Sequence, residues 1–84
     1  MYQIRTYDEA QEQVVALPPK ALACYIDVLK VLKLVPWNGT PYNEENPDGN
    51  MRQWVFGPGG YGFVTYLILD DQRLVDVLEV LWLG

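Results

Sequence analysis

The chain has 84 residues, half of them hydrophobic, and it carries eleven acidic against six basic side chains and no histidine. This length predicts a single domain over residues 1–84, and the net charge of −5 argues against sequence-independent binding to nucleic acid, which requires cations that neutralise phosphates. Because Cys24 is the single cysteine, the sequence also excludes an internal disulfide and a zinc site built from histidine or several thiolates, and we expect no cofactor.

The N-terminus lacks the pattern of a secretory signal. Met1–Tyr7 alternates polar and apolar residues, whereas a signal peptide has a charged region followed by an apolar one. No apolar run approaches the ~18 residues that are needed to span a bilayer. We therefore expect a cytoplasmic protein with no membrane partner.

The N-terminal half predicts one strand followed by two helices. The alternation of Tyr2–Tyr7 is typical of a strand, and Asp8 is expected to be the N-cap of a first helix that ends near Leu17. Pro18-Pro19 ends that helix and begins the second, which continues from Lys20 to about Leu34. The apolar stripe of the second helix, expected to face the core because its members are three or four positions apart, consists of Leu22, Tyr25, Ile26, Leu29 and Leu32.

The C-terminal half predicts a loop and three strands. Trp37–Asn50 is rich in glycine and proline, so we expect a loop that the Trp37 and Tyr42 side chains anchor to the body. The expected strands are Met51–Phe56, Gly62–Leu69 and Leu74–Leu83. Short turns between them imply an antiparallel meander. The predicted fold class is therefore α+β: one N-terminal strand, a helical hairpin and the meander, with a sheet of about four strands packed against two helices.

Two acidic residues break the alternation of the last strand. Asp76 and Glu79 are an odd number of positions apart, so in a regular strand their side chains would lie on opposite faces. Either a β-bulge shifts the register, or one acid lies near the sheet edge, or Glu79 has a functional role. We favour the bulge.

Two arginines and two tyrosines are the candidate site residues. Arg52 and Arg73 can each hold a phosphate through a bidentate fork; the alternative is a surface salt bridge to one of the eleven acids. Tyr61 and Tyr66 can stack on a base or orient a reacting oxygen; the alternative is half-buried packing. The glycine-rich segment Gly57–Gly62 lacks the Lys-Ser/Thr of a phosphate loop and is expected to be a hairpin turn.

The order of these elements resembles that of the RelE/ParE toxins of type II toxin–antitoxin systems, and looks most like a diverged actinobacterial branch of that family. The resemblance covers nearly the whole chain and rests on the order and spacing of several stretches together. These are Ala16–Ala21 between the helices, Asn46–Gly49, Met51–Gly57, Val64–Tyr66 and Val75–Val80.

The resemblance implies a toxin that is neutralised by a cognate antitoxin protein. RelE-like toxins enter the ribosome and cleave messenger RNA, with the RNA's own 2′-hydroxyl attacking the adjacent phosphate, so that no metal is needed. The implied activity is a metal-independent endoribonuclease (an mRNA interferase) that inhibits translation, with the ribosome and mRNA as partners. ParE-like relatives instead inhibit DNA gyrase, and gyrase inhibition is therefore a further alternative function.

Carried over by position, the resemblance covers two of the four candidate residues. Arg52 matches an arginine that opens a strand in the family, and Tyr66 matches the tyrosine of an Arg-x-x-Tyr motif. We expect Arg52 to contact phosphate, Arg73 to be a supporting cation, and Tyr61 or Tyr66 to stack or orient. The family's basic residues are replaced at Trp54 and Phe63, and its C-terminal His-Arg and tyrosine segment is replaced by Leu81–Leu83.

A second function on the same scaffold is a non-catalytic interaction module. A net charge of −5 opposes entry into a ribosomal site that is walled with phosphate. Such a module would bind an antitoxin or associate with itself as a homodimer, and the apolar residues Leu81–Leu83 suit an interface of this kind.

Overall fold

Five strands form one mixed sheet, and two helices cover one of its faces. A computed structural model describes all 84 residues. The elements in chain order are β1 (Gln3–Thr6), α1 (Asp8–Val15), α2 (Pro19–Leu34), β2 (Thr40–Pro41), β3 (Met51–Phe56), β4 (Gly62–Leu69) and β5 (Leu74–Trp82). Single 3₁₀ turns lie at Pro36–Asn38, Pro58–Gly60 and Asp70–Gln72. The predicted α+β class and the order of its elements are confirmed.

The sheet has the strand order β1-β5-β4-β3-β2. β1 runs parallel to β5, and the other pairs are antiparallel. The meander of β3, β4 and β5 is therefore as predicted, but the count of about four strands is one short. The fifth strand, β2, lies inside the segment that was expected to be only a loop. Pro41 is tolerated there because β2 is an edge strand, where one N–H can be missing.

The first helix begins one residue earlier than its acidic residues suggested. Tyr7 has an extended backbone and precedes the helix, Asp8 is its first helical residue, and no side chain caps its N-terminus. The expectation of Asp8 as the N-cap is therefore wrong. Its carboxylate lies in the first turn, with Glu9, where negative charge is favoured by the helix dipole.

The second helix is rotated relative to the expected stripe, so that Tyr25, Leu29 and Leu32 pack towards the core as predicted but Leu22 and Ile26 do not. Ala21 and Val28 are buried with Tyr25 and Leu32, whereas Leu22 and Ile26 are 36 % and 48 % exposed. Both sets have helical spacing, so the sheet, and not the pattern, decides which one is covered. Neither this helix nor the first is long and apolar enough to cross a membrane.

The core lies between the helices and one face of the sheet. It is a single cluster that joins α1 and α2 to alternate residues of the strands. The sheet residues that are buried in it are Phe56, Val64, Tyr66, Ile68, Val75, Val77 and Val80. The other face of the sheet carries the intervening residues, and we call it the open face. Its members are Gln3, Arg5, Thr40, Met51, Gln53, Val55, Phe63, Thr65, Leu67, Leu69, Leu74, Asp76, Glu79 and Leu81.

A β-bulge in β5 brings two acids onto the open face. Thr65 pairs with Glu79 and the next residue of β4, Tyr66, pairs with Val77, so that Leu78 has no partner. The predicted bulge is confirmed. Because one extra residue shifts the alternation, Asp76 and Glu79 lie on the same face and not on opposite ones.

The first helix also protects the part of β5 that β1 leaves unpaired. β1 ends at Thr6, opposite Val77. Beyond that point the Gln13 side chain of α1 accepts a hydrogen bond of 2.6 Å from the Val80 backbone N–H. This contact satisfies a donor on a strand edge, and it positions α1 alongside β5.

Candidate functional site

Arg52 lies inside the protein and holds the segment that connects α2 to β3. Its side chain is only 9 % exposed, because it is on the helix-covered side of β3. The guanidinium donates to the carbonyl oxygens of Gly49 and Gly39 at 3.0 Å each, of Pro47 at 2.9 Å and of Trp37 at 3.4 Å. Four backbone acceptors converge on one cation, so a phosphate could bind Arg52 only after displacing them.

The Trp37 ring covers the same guanidinium. The central carbon of the Arg52 guanidinium lies 5.0 Å from the centre of the indole, within the range of a cation–π interaction. Trp37 therefore anchors the loop, as expected. The Tyr42 side chain does not anchor the loop, since it is more than half exposed. At that point the segment is held by the hydrogen bond that the Tyr42 backbone N–H donates to the Met51 carbonyl oxygen.

Tyr66 is the cross-strand partner of Arg52 and is fully buried. Its hydroxyl donates to the Pro36 carbonyl oxygen at 2.6 Å. Burial raises the pKa of Tyr66 to about 12, although the Arg52 charge acts in the opposite direction. The Tyr66 phenol is therefore neutral and forms its hydrogen bond within the fold. Because the ring is buried, it is not available for stacking on a base.

Gly39 makes room for this arrangement. A Cβ at that position would overlap the Tyr66 hydroxyl and would lie 2.9 Å from the Gln53 carbonyl oxygen. The backbone of Gly39 is extended, with φ −67° and ψ 162°, so the glycine is needed for space and not for an unusual conformation.

Arg73 belongs to a second cluster at the turn between β4 and β5. Its guanidinium donates to the Tyr2 hydroxyl at 3.2 Å and lies 5.2 Å from the centre of the Tyr2 ring. The Tyr2 hydroxyl in turn donates to Asp70, which also accepts a hydrogen bond of 3.2 Å from the Trp37 indole. These bonds, first that from Tyr2 and then that from Trp37, lower the pKa of Asp70. Arg73 is exposed and remains accessible to a ligand.

Tyr61 is at the opposite end of β4. It is 53 % exposed. Tyr61 comes directly before β4, whereas Arg73 comes after the end of that strand. Eight residues of extended chain (Gly62–Leu69) separate the two by roughly 25 Å, so Tyr61 and Arg73 cannot contact one phosphate together. The structure therefore brings Arg52 and Tyr66 together inside the fold and leaves the other two candidates at separate ends of the sheet.

The apolar C-terminal residues pack partly on their own chain. The Trp82 ring lies 6.1 Å from that of Phe56 and passes close to Gly57, where a Cβ would be 2.7 Å from it. Leu81 and Leu83 on either side are exposed. These leucines are therefore more accessible to a partner than the partly buried tryptophan.

One ion pair on the open face was not among the candidate residues. Arg5 of β1 is bound to Asp76 of β5 through two hydrogen bonds, of 2.7 Å from Nε and 3.0 Å from Nη2. The bond to Asp76 raises the pKa of Arg5. The parallel register of β1 with β5 pairs Arg5 with Asp76 and so makes the two residues neighbours on one face. No three side chains of the metal-binding types are arranged to hold a metal ion.

Solved structures of toxins share this architecture. The intact RelBE toxin–antitoxin complex of E. coli contains a chain that superposes with a TM-score of 0.81 at 13 % identity, covering 100 % of this chain and 99 % of that one. The chain has the RelE toxin fold. The isolated E. coli RelE toxin gives the same TM-score of 0.81 at 12 % identity, with coverage of 100 % and 86 %.

A mycobacterial structure has the RelE fold with more sequence in common. The RelBE2 toxin–antitoxin complex of Mycobacterium tuberculosis matches at 24 % identity with a TM-score of 0.71, covering 96 % of each chain. No protein-family model matches the sequence, and no curated protein matches it. At such identities the likeness concerns the backbone, and the RelE fold expected from the order of motifs is confirmed.

Proposed function

We propose that this chain is the toxin-type subunit of a toxin–antitoxin pair, and that binding of the antitoxin protein is the function it retains. The observation that carries the proposal is that internal hydrogen bonds already occupy the Arg52 guanidinium. On a whole-chain RelE fold, the cation expected to bind phosphate donates instead to four backbone carbonyls. Several of the relatives with this fold are described as complexes with a second protein.

The charge of the molecule supports protein binding over RNA binding. Of the six cationic side chains, Arg52 is buried and Arg5 is paired with Asp76. The three lysines all belong to α2, on the other side of the sheet from the open face. The sixth cation, Arg73, is exposed at the turn between β4 and β5. A phosphate backbone at the open face itself would meet unpaired negative charge, which repels it. We place the pair in the cytoplasm.

Identification of the reading frames next to this gene, followed by co-expression of a small neighbouring product with the chain, tests this function. We expect a stable complex in size-exclusion chromatography with light scattering, and a rise in the unfolding temperature of the chain, because a ligand that binds only the folded state stabilises it. A chain that stays uncomplexed with this neighbour at tens of micromolar, well above the usual Kd of specific complexes, would contradict the proposal.

The second candidate is the ribosome-dependent endoribonuclease of the RelE toxins. Exposure of Tyr61 and Arg73 favours it, because these two of the four candidates can reach an RNA. If the chain cleaves mRNA, Tyr61 is expected to stack on a base and Arg73 to contact a phosphate at a separate point. Gyrase inhibition has no observation of its own to favour it.

Growth after induced expression in a bacterium that lacks the neighbouring gene tests this second function. Tyr61→Ala is the suitable variant, because its side chain is exposed and its loss leaves the core intact. Arrest by the parent and not by Tyr61→Ala, at equal protein level and with mRNA cut in translating extracts, would support cleavage. Intact mRNA and normal growth with the parent would exclude it.

A further inference from the structure

We propose that the open face is the docking surface for a basic, amphipathic segment of the partner protein. The inference rests on the proposed function and specifies the site and the charge of the partner. It depends on two separate observations: an uncovered apolar surface, and acids on and around it of which only Asp76 is paired with a cation.

The open face carries several apolar side chains that the helical layer does not bury in the core. The core cluster takes its sheet residues from the other face alone. Val55 is 53 % and Leu81 39 % exposed, and Phe63 and Leu67 are half-buried. Side chains of this kind in neighbouring strands form a continuous surface that a second apolar element can cover.

Acidic side chains surround this surface on both sides. A depression next to Arg5, at the β1 side, is lined by Asp8 and Glu9. Another, next to Met51 at the β3 side, is lined by Glu44 and Glu45. All four are exposed.

The middle of the face is acidic as well. Glu79, which the bulge places there, is exposed. The single cation of the face, Arg5, is already bound to Asp76 in a two-point ion pair. The remaining charge of the surface is therefore negative, and it is complementary to lysine or arginine side chains flanking an apolar stripe.

The same charges disfavour the other occupants of the surface. RNA is repelled by uncompensated carboxylates. A second copy of this chain would bring two acidic surfaces together, and like charges across an interface are costly. The homodimer that was expected as an alternative is therefore disfavoured at this face.

Three synthetic peptides of about 20 residues, long enough for some five helical turns, test the surface directly. The first alternates leucine and lysine with helical period, the second carries glutamate in place of lysine, and the third is a scrambled form of the first with no apolar stripe. We expect the first to bind and to perturb the amide resonances of Thr65, Leu67 and Glu79 in the ¹⁵N-labelled protein. We expect at least roughly tenfold weaker binding by the other two, because each lacks one of the two complementary features.

Charge reversals at two positions distinguish a site from general attraction to an acidic protein. Glu79→Lys and Asp27→Lys change the net charge equally, but Glu79 is on the open face and Asp27 is exposed on α2. We expect Glu79→Lys to weaken binding of the first peptide roughly five- to tenfold and Asp27→Lys to leave it within twofold. If Glu79→Lys does not fold, Val55→Ser removes an apolar contact without changing the charge and should also weaken binding.

Each other outcome overturns the inference. These outcomes are equal losses in the two reversals, perturbations confined to α2, no binding of the first peptide, and occupation of the face by RNA or a second copy. If the neighbour-encoded protein binds but maps to α2, the docking site is wrong while the proposed function stands. If that protein does not bind at all, the proposed function itself fails.

Discussion

Arg52 and Tyr66 are directly opposite each other on β3 and β4, and both bind the segment that follows α2. Tyr66 donates to Pro36, and Arg52 donates to Trp37 and Gly39. The two residues that the RelE resemblance nominated for chemistry therefore fix the connection between the helical layer and the strand β3. In this chain they are structural residues first, and variants at these positions must be interpreted as changes of stability.

Truncation of Arg52 is expected to destabilise the fold. Arg52→Ala leaves four carbonyl oxygens without their charged donor, and we expect a loss of about 3 kcal/mol in the free energy of unfolding, or roughly 15 °C in melting temperature for a domain of this size. Arg52→Lys should recover little of it, because an ammonium cannot reproduce the planar fork. Arg73→Ala, at an exposed position, should cost less than about 1 kcal/mol. Equal melting temperatures for Arg52→Ala and the parent would contradict the role assigned to Arg52.

A methyl group at position 39 is expected to act through Tyr66. Gly39→Ala introduces a Cβ into the space of the Tyr66 hydroxyl, and overpacking of this kind costs about 2 kcal/mol. Tyr66→Phe removes the overlapping atom, so the double variant should be less destabilised than the sum of the two single ones. A coupling free energy near zero in this cycle, measured by urea unfolding, would show that the two sites are independent.

Alkaline pH is expected to unfold the protein through its buried tyrosines. Burial raises the pKa of Tyr25 and of Tyr66 to about 12, whereas a tyrosine in an unfolded chain titrates near 10. Between these values the unfolded state releases protons that the native state keeps, so stability decreases as pH rises, by up to about 1.4 kcal/mol per pH unit for each tyrosine. Tyr66→Phe should reduce this slope in denaturant melts between about pH 10 and about pH 12, the interval between the unfolded and native pKa values. Tyr61→Phe, at an exposed position, should not.

Acid pH is expected to loosen the cluster around Asp70. Because hydrogen bonds from Tyr2 and Trp37 lower the pKa of this carboxyl, its stabilising effect is complete above the usual aspartate value of about 4 and is lost as pH falls through the lower native value. The indole N–H resonance of Trp37 should therefore be constant from neutral pH to about 5 and shift below about 4. Asp70→Asn should abolish that transition, and Asp71→Asn should preserve it. A transition that persists in Asp70→Asn would assign it to another carboxyl.

The parts of the fold that were predicted from sequence are those set by local pattern. β3 and β4 have the predicted bounds, because alternation and short glycine or aspartate turns define them within a few residues. The bulge was also visible, since the spacing of Asp76 and Glu79 contradicted a regular strand. β2 was missed because two residues carry no periodicity, and that strand exists only through its pairing with β3.

The candidate site was less predictable, because its character depends on what surrounds each side chain. An arginine at the start of a strand has the same sequence pattern whether it faces solvent or the carbonyls of a distant loop. The partners of Arg52 are backbone carbonyl oxygens of residues 37–49. Because every residue has such an oxygen, these partners cannot be recognised from the sequence. The Arg5–Asp76 pair was missed for a related reason: a parallel pairing of the first and last strands joins residues that are far apart in the chain.

That parallel pairing also determines when the protein can fold. β5 is the last strand to be synthesised, yet it lies between β1 and β4 in the sheet, and β1 pairs with no other strand. Because the ribosome delivers a chain from its N-terminus, the sheet cannot close until β5 has left the exit tunnel. Since the open face includes residues of β5, a partner that binds it encounters a sheet in which β1 and β5 are already paired.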